Sequence, residues 1–127
     1  MLESVLAICV GASLGAVLRW WLSLMLNPLF APLPMGTLAA NLIGGYLVGV
    51  AVIVFLQHPA LPAHWRLFVV TGFLGGLTTF STFSAEVVGM LQQGRLLWAA
   101  GTVAAHLAGS LLMTLAGMAS VEWLRRG

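Results

Sequence analysis

Thirteen consecutive residues, Gly72-Phe73-Leu74-Gly75-Gly76-Leu77-Thr78-Thr79-Phe80-Ser81-Thr82-Phe83-Ser84, place three glycines, five hydroxyl side chains and, three residues apart, Phe80 and Phe83 inside one long apolar run. A lipid-facing helix has no use for that mixture. Each glycine forfeits roughly 1 kcal/mol of helix propensity against alanine, and backbone groups freed at membrane depth survive only against protein or a water-filled cavity. The pattern predicts a broken helix. A half-helix ending near Gly75 and Gly76 leaves carbonyls for a monovalent cation, while one starting near Thr79 turns amides and its positive dipole end toward an anion. The competing reading is a kink filled by hydroxyl back-bonding from Thr78 or Ser81. Phe80 and Phe83 share one helix side; phenyl rings have positive edges, so they are either packing or two edge-on contacts for a small anion. Such contacts bind weakly enough for an ion to leave again.

Each neighbouring apolar run adds one polar or small-residue face. In the first, Gly11, Gly15, Arg19 and Ser23 recur every four residues. The glycines suit close helix packing. Arg19 costs at least about 2.5–3.5 kcal/mol at membrane depth, so it marks a polar interior or snorkels to the interface beside Trp20 and Trp21. In the second, Thr37, Asn41, Gly45 and Gly49 share a face; the Asn41 amide needs partners, either another helix or an anion. The third carries Glu86 after the central stretch. In the fourth, Thr102, His106, Ser110 and Thr114 form a stripe, a hydrated track or a set of interhelical hydrogen bonds.

The elements that position these residues follow from composition. Of 127 residues, 61% are hydrophobic and only 6% charged, and a spanning helix needs about 20 apolar residues. The expectation is a single all-α integral membrane domain with four spans, roughly residues 2–26, 37–56, 67–91 and 96–124. Prolines mark the first two connections and Gly94 the third. The first run starts Met1-Leu2-Glu3 without a basic stretch or a cleavage site, and reads as a mature span.

Five arginines without a lysine are too dispersed for a nucleic-acid surface. Cys9 stands alone, and His58 and His64 flank the second connection without acidic or thiol neighbours, so neither a disulfide nor a zinc site is expected. The chain has no aspartate and no Ser–His–acid motif; it does not read as an enzyme. Arg66, Arg125 and Arg126 fall on the side of both termini, against Arg95 and Arg19 opposite. That thin bias is compatible with insertion in both orientations, or in one with the termini cytoplasmic. Four polar faces crowd a four-helix monomer, so self-association is expected. Two antiparallel copies would recreate the inverted symmetry of many transport folds.

Three motifs carry a family resemblance across all four spans: Gly11-x-x-x-Gly15-Ala16-x-x-Arg19, Gly36-Thr37-Leu38-x-x-Asn41-x-x-Gly44 and Gly75-Gly76-x-Thr78-Thr79-Phe80-Ser81-Thr82-Phe83-Ser84-x-Glu86. The chain resembles the Fluc (CrcB) fluoride channels of bacteria. The resemblance implies an antiparallel dual-topology homodimer in the bacterial cytoplasmic (inner) membrane, with membrane lipid around it. It further implies two pores that export toxic fluoride passively, and a central structural sodium ion. Carried onto this chain, it makes Phe80 and Phe83 ring-edge contacts to fluoride, Asn41 a pore-side donor, and Ser81, Thr82, Ser84, Thr37 and Ser110 polar track members. Gly75 and Thr78 become carbonyl ligands of sodium, and Arg19, Glu86, Thr79 and His106 vestibule or supporting residues. Val10 stands where the family pattern has a glycine, and His106 where some relatives carry tyrosine. One alternative is a dual-topology, proton-coupled multidrug exporter, which needs a membrane-embedded glutamate in the first span. The other is an assembly subunit without ion flux.

Overall fold

The computed structural model describes Met1–Gly127. It is all helical, with α1 (Leu2–Leu26), α2 (Met35–Gln57), a third span built in pieces and α6 (Leu96–Arg126). The pieces of the third span are α3 (Ala63–Arg66), a π-helical segment (Leu67–Leu74), α4 (Gly75–Leu77) and α5 (Phe80–Gln92). Four stretches, Leu2–Leu29, Met35–Gln57, Ala63–Gln92 and Leu96–Arg126, are long and apolar enough to cross a bilayer. The chain is a multi-pass membrane protein.

The second span starts two residues before the expected Thr37, because Pro34 holds the extended φ/ψ of an N-cap (−66°, 105°) and Met35 already follows the helix. The third begins four residues early. Pro62 is its N-cap, and proline is favoured at helix starts. Gly94, at φ 74°, is the only residue with a positive φ. In this left-handed position it closes α5, donating to the Leu91 carbonyl at 3.1 Å while the Arg95 amide donates to Met90 at 2.9 Å.

Two interfaces organise the bundle. α1 lies against the π segment and α4, while α2 lies against α6. At the first, Gly11 and Gly15 are buried, and a Cβ at either would strike backbone of the third span: Phe68 and Phe73 for Gly11, Phe73 and Leu77 for Gly15. Gly72 and Gly76 answer from the other side, against Ile8, Gly11 and Ala12. Glycine is therefore required here by backbone-to-backbone packing. The π segment was not expected. Its wider i→i+5 turns occur where these glycines bring α1 against the third span.

At the second interface the small face of α2 meets the polar stripe of α6. Gly45 and Gly49 abut the backbone of Ser110 and Thr114, and Gly117 abuts Tyr46 and Val50. Thr114 Oγ1 donates to the Gly45 carbonyl at 2.9 Å and to Ser110 at 3.0 Å. Thr102 Oγ1 donates to Trp98 at 2.7 Å, and Tyr46 to Ser120 at 2.9 Å. Most of the stripe is thus interhelical and back-bonded packing. Ser110 remains on a cavity wall.

The first connection is tied to the third. Asn27 Oδ1 accepts from the Gly36 amide at 2.7 Å, Arg95 donates to the Pro32 carbonyl, and Phe30 meets Trp98 edge-on at 5.7 Å. Between His58 and Pro62, every residue is exposed and only local hydrogen bonds form.

Candidate functional site

The break lies at Thr78 and Thr79, two residues past the glycines expected to cause it. Gly75 and Gly76 remain helical. Thr78 (φ −82°, ψ 154°) and Thr79 (φ −149°, ψ 116°) are extended, and the chain turns helical again at Phe80. Neither residue is a helix breaker, so the opening is imposed by tertiary contacts.

Asn41 supplies the main one. Its Oδ1 accepts from the Thr79 amide at 2.7 Å and its Nδ2 donates to the Thr79 carbonyl at 3.0 Å. The side-chain amide thus pairs with both backbone groups of Thr79, as a neighbouring strand's backbone would. The second Nδ2 hydrogen goes to His106 Nδ1 at 3.0 Å. Both Asn41 donors are engaged, so the amide reaches an anion only by releasing a partner. This departs from a free pore-side donor, and the reason is that the broken backbone is the nearer claimant.

The Thr79 amide given to Asn41 is the one that would have closed a helical turn on Gly75. Thr78 does not replace it, because its amide and hydroxyl both go to Leu74, at 3.0 and 2.8 Å. The hydroxyl back-bonding considered for Thr78 therefore occurs, together with a true break. Gly75, which is exposed, keeps a carbonyl released from the helix. The Gly76 carbonyl accepts Arg19 Nε at 3.0 Å. Through that nitrogen Arg19 caps the negative end of the first half-helix, where a cation is favoured. Gly44 makes room for the Thr78 methyl, which a Cβ there would strike.

On the far side, Thr79 Oγ1 caps α5 by accepting from the Thr82 amide at 3.1 Å, and it contacts Thr82 Oγ1 at 3.1 Å. Phe80 is 73% exposed and Phe83 only 7%. Their rings meet edge-to-face at 5.5 Å, and Phe83 lies 4.6 Å from the His106 ring. Ser81 and Ser84 are exposed beside Phe80, and Thr82 is half-buried. One turn from Asn41 on α2, Thr37 donates to Glu86 Oε2 at 2.6 Å. Glu86 Oε1 and His106 Nε2 are buried without partners.

These residues surround a cavity of about 440 Å³ lined in part by Asn41, Gly75, Thr78, Phe80, Phe83 and Ser110, with no Asp, Glu, Lys or Arg in its wall. The structure brings Asn41, Thr79, His106, Phe83 and Phe80 together on that wall, with Ser110 beyond. Arg19, Thr37 and Glu86 stand outside it, where they hold the helix halves. Sequence reasoning missed the Asn41–Thr79 and Thr37–Glu86 pairings. The signal was the spacing of Thr37 and Asn41, which puts both on one face of α2 toward the third span. Glu3, the only acid of α1, is exposed in its first turn, away from the membrane depth that the exporter alternative requires.

Residues 6–118 match the family described as CrcB-like protein, Camphor Resistance (CrcB). A protein of Tolumonas auensis named fluoride-specific ion channel FluC is 65% identical over 126 residues, 99% of each chain. Proteins of that name from Chromobacterium violaceum (62%, covering 99% of this chain and 100% of the relative) and Pseudomonas aeruginosa (60%, 98% of each) are similar over the same extent. Four spans and such relatives locate the protein in the bacterial inner membrane. A family model covering most of the sequence and relatives identical at most positions lead to one conclusion: the chain belongs to the CrcB family of ion channels.

Proposed function

We propose that the chain is a passive, fluoride-selective channel that releases fluoride accumulated in the cytoplasm, working as an antiparallel homodimer with two pores along the subunit interface. The observation that carries this reading is the cavity wall, which carries ring edges and polar side chains but no formally charged one. Such a wall replaces an anion's water without trapping the ion. Phe80, exposed among Ser81 and Ser84, belongs against a second copy rather than hydrocarbon, since hydroxyls gain nothing from lipid. Ser110 extends the polar track along the wall and Thr82 continues it in the first turn of α5, while Thr37 supports it by holding Glu86.

The break fits a small hard cation such as sodium, which takes oxygen ligands. The Gly75 carbonyl is freed by the diversion of the Thr79 amide, and Thr78 carries the next carbonyl at the turn. One chain supplies too few oxygens, and an antiparallel partner doubles them. The sodium ion would bind the two copies together and fix the half-helices; fluoride itself is handled by the rings and donors.

Fluoride efflux from liposomes carrying the purified protein tests the reading, followed with a fluoride electrode beside a chloride control and without an energy source. Fast fluoride-selective release that requires a cation ionophore to balance charge is the expected result. Electrically silent release or none would redirect the work to coupled export. Replacing sodium by a larger cation throughout purification should loosen the dimer and lower flux; indifference removes the cation from the break.

A further inference from the structure

His106 is 3% exposed on the cavity wall, and its Nε2 has no partner. The tautomer decides what that atom offers. Asn41 cannot be flipped, because its oxygen must face the Thr79 N–H and its nitrogen the Thr79 carbonyl. The atom within 3.0 Å of His106 Nδ1 is therefore the amide nitrogen, which only donates. A donor there requires Nδ1 to be the bare acceptor, so the ring proton resides on Nε2. The buried orphan is a hydrogen-bond donor.

From this we infer that His106 Nε2–H is an anion donor of the pathway, and that Asn41 is the positioning residue that holds the imidazole in the donor tautomer. The inference rests on the fluoride reading of the same cavity and assigns within it a role to His106. A buried N–H without an acceptor is costly, and a passing anion is the ligand that relieves it. Phe83, whose ring lies 4.6 Å from the imidazole and also meets Phe80, ties the donor to the ring pair.

The test uses the full-length protein carrying His58→Gln and His64→Gln, so that His106 is the only imidazole, labelled with ¹⁵N-histidine and titrated with sodium fluoride against sodium chloride. A protonated Nε2 and bare Nδ1, with the Nε2 signal moving in fluoride and not in chloride, is the expected result. The reverse tautomer, or a signal indifferent to fluoride, overturns the inference. In liposomes, His106→Phe should lower fluoride flux about tenfold, the size of one charge-assisted hydrogen bond, and His106→Gln should retain most of it. Equal flux in wild type and His106→Phe also overturns the assignment. A parent protein that passes no fluoride while its Nε2 signal still responds supports the donor and overturns the channel reading instead.

Discussion

The two halves of the third span are built for opposite purposes. Before Thr78, the chain is pressed backbone to backbone on α1, with Gly72 and Gly76 against Ala12 and its neighbours and Arg19 holding the last turn. After Thr79 it is held by single side chains of α2, Asn41 on the Thr79 backbone and Thr37 on Glu86, and leaves Phe80, Ser81 and Ser84 open. At Gly72 and Gly76 the first half has no room for a side chain, and the second half has three side chains with no covering. Close packing therefore anchors the span so that its other end can present chemistry.

Substitutions that respect one half and disturb the other should separate stability from conduction. Gly15→Leu drives a side chain into Phe73 and Leu77 backbone. It should cost about 3 kcal/mol or more, seen as loss of a monodisperse species in size-exclusion chromatography; a stable variant would break the comparison. Asn41→Asp, at the seam between the halves, removes the donor to both Thr79 and His106. Two buried acceptors lose partners at roughly 1–3 kcal/mol each, so fluoride flux should fall about hundredfold with a lower melting temperature. Phe80→Ile touches only the open half and should reduce flux about tenfold, the scale of a ring-edge contact, with an unchanged melting temperature. The smallest effect belongs to Ser81→Ala. An exposed hydroxyl is worth roughly 1 kcal/mol or less, and flux should change less than about fivefold.

Four spans, their polar faces and the existence of a break were legible because each depends on local pattern: apolar length, spacing of four, and glycine with hydroxyl content. The position of the break was not. Gly75 and Gly76 look like breakers, yet both stay helical and the missing side chain of Gly76 serves α1, while Thr78 and Thr79 are opened by Asn41 from another helix. A residue acting as a surrogate peptide leaves no mark near the residues it opens. The same holds for His106. Its place in a stripe of four is visible, but its role depends on which Asn41 atom faces it. Arg19 was legible as a polar interior residue, though its partner was not, since a carbonyl becomes free only after the break forms.

The link from Arg95 to Pro32, with Asn27 closing the same loop, has a practical consequence for handling the protein. Foreign sequence inserted within residues 28–35 would have to part connections that hold the ends of three helices together. Residues 58–62 are exposed and tied only to themselves, so an epitope or fluorescent domain belongs there. One end of the bundle is a clasp and the other an open seam, and only the open seam can be lengthened without unfastening the helices.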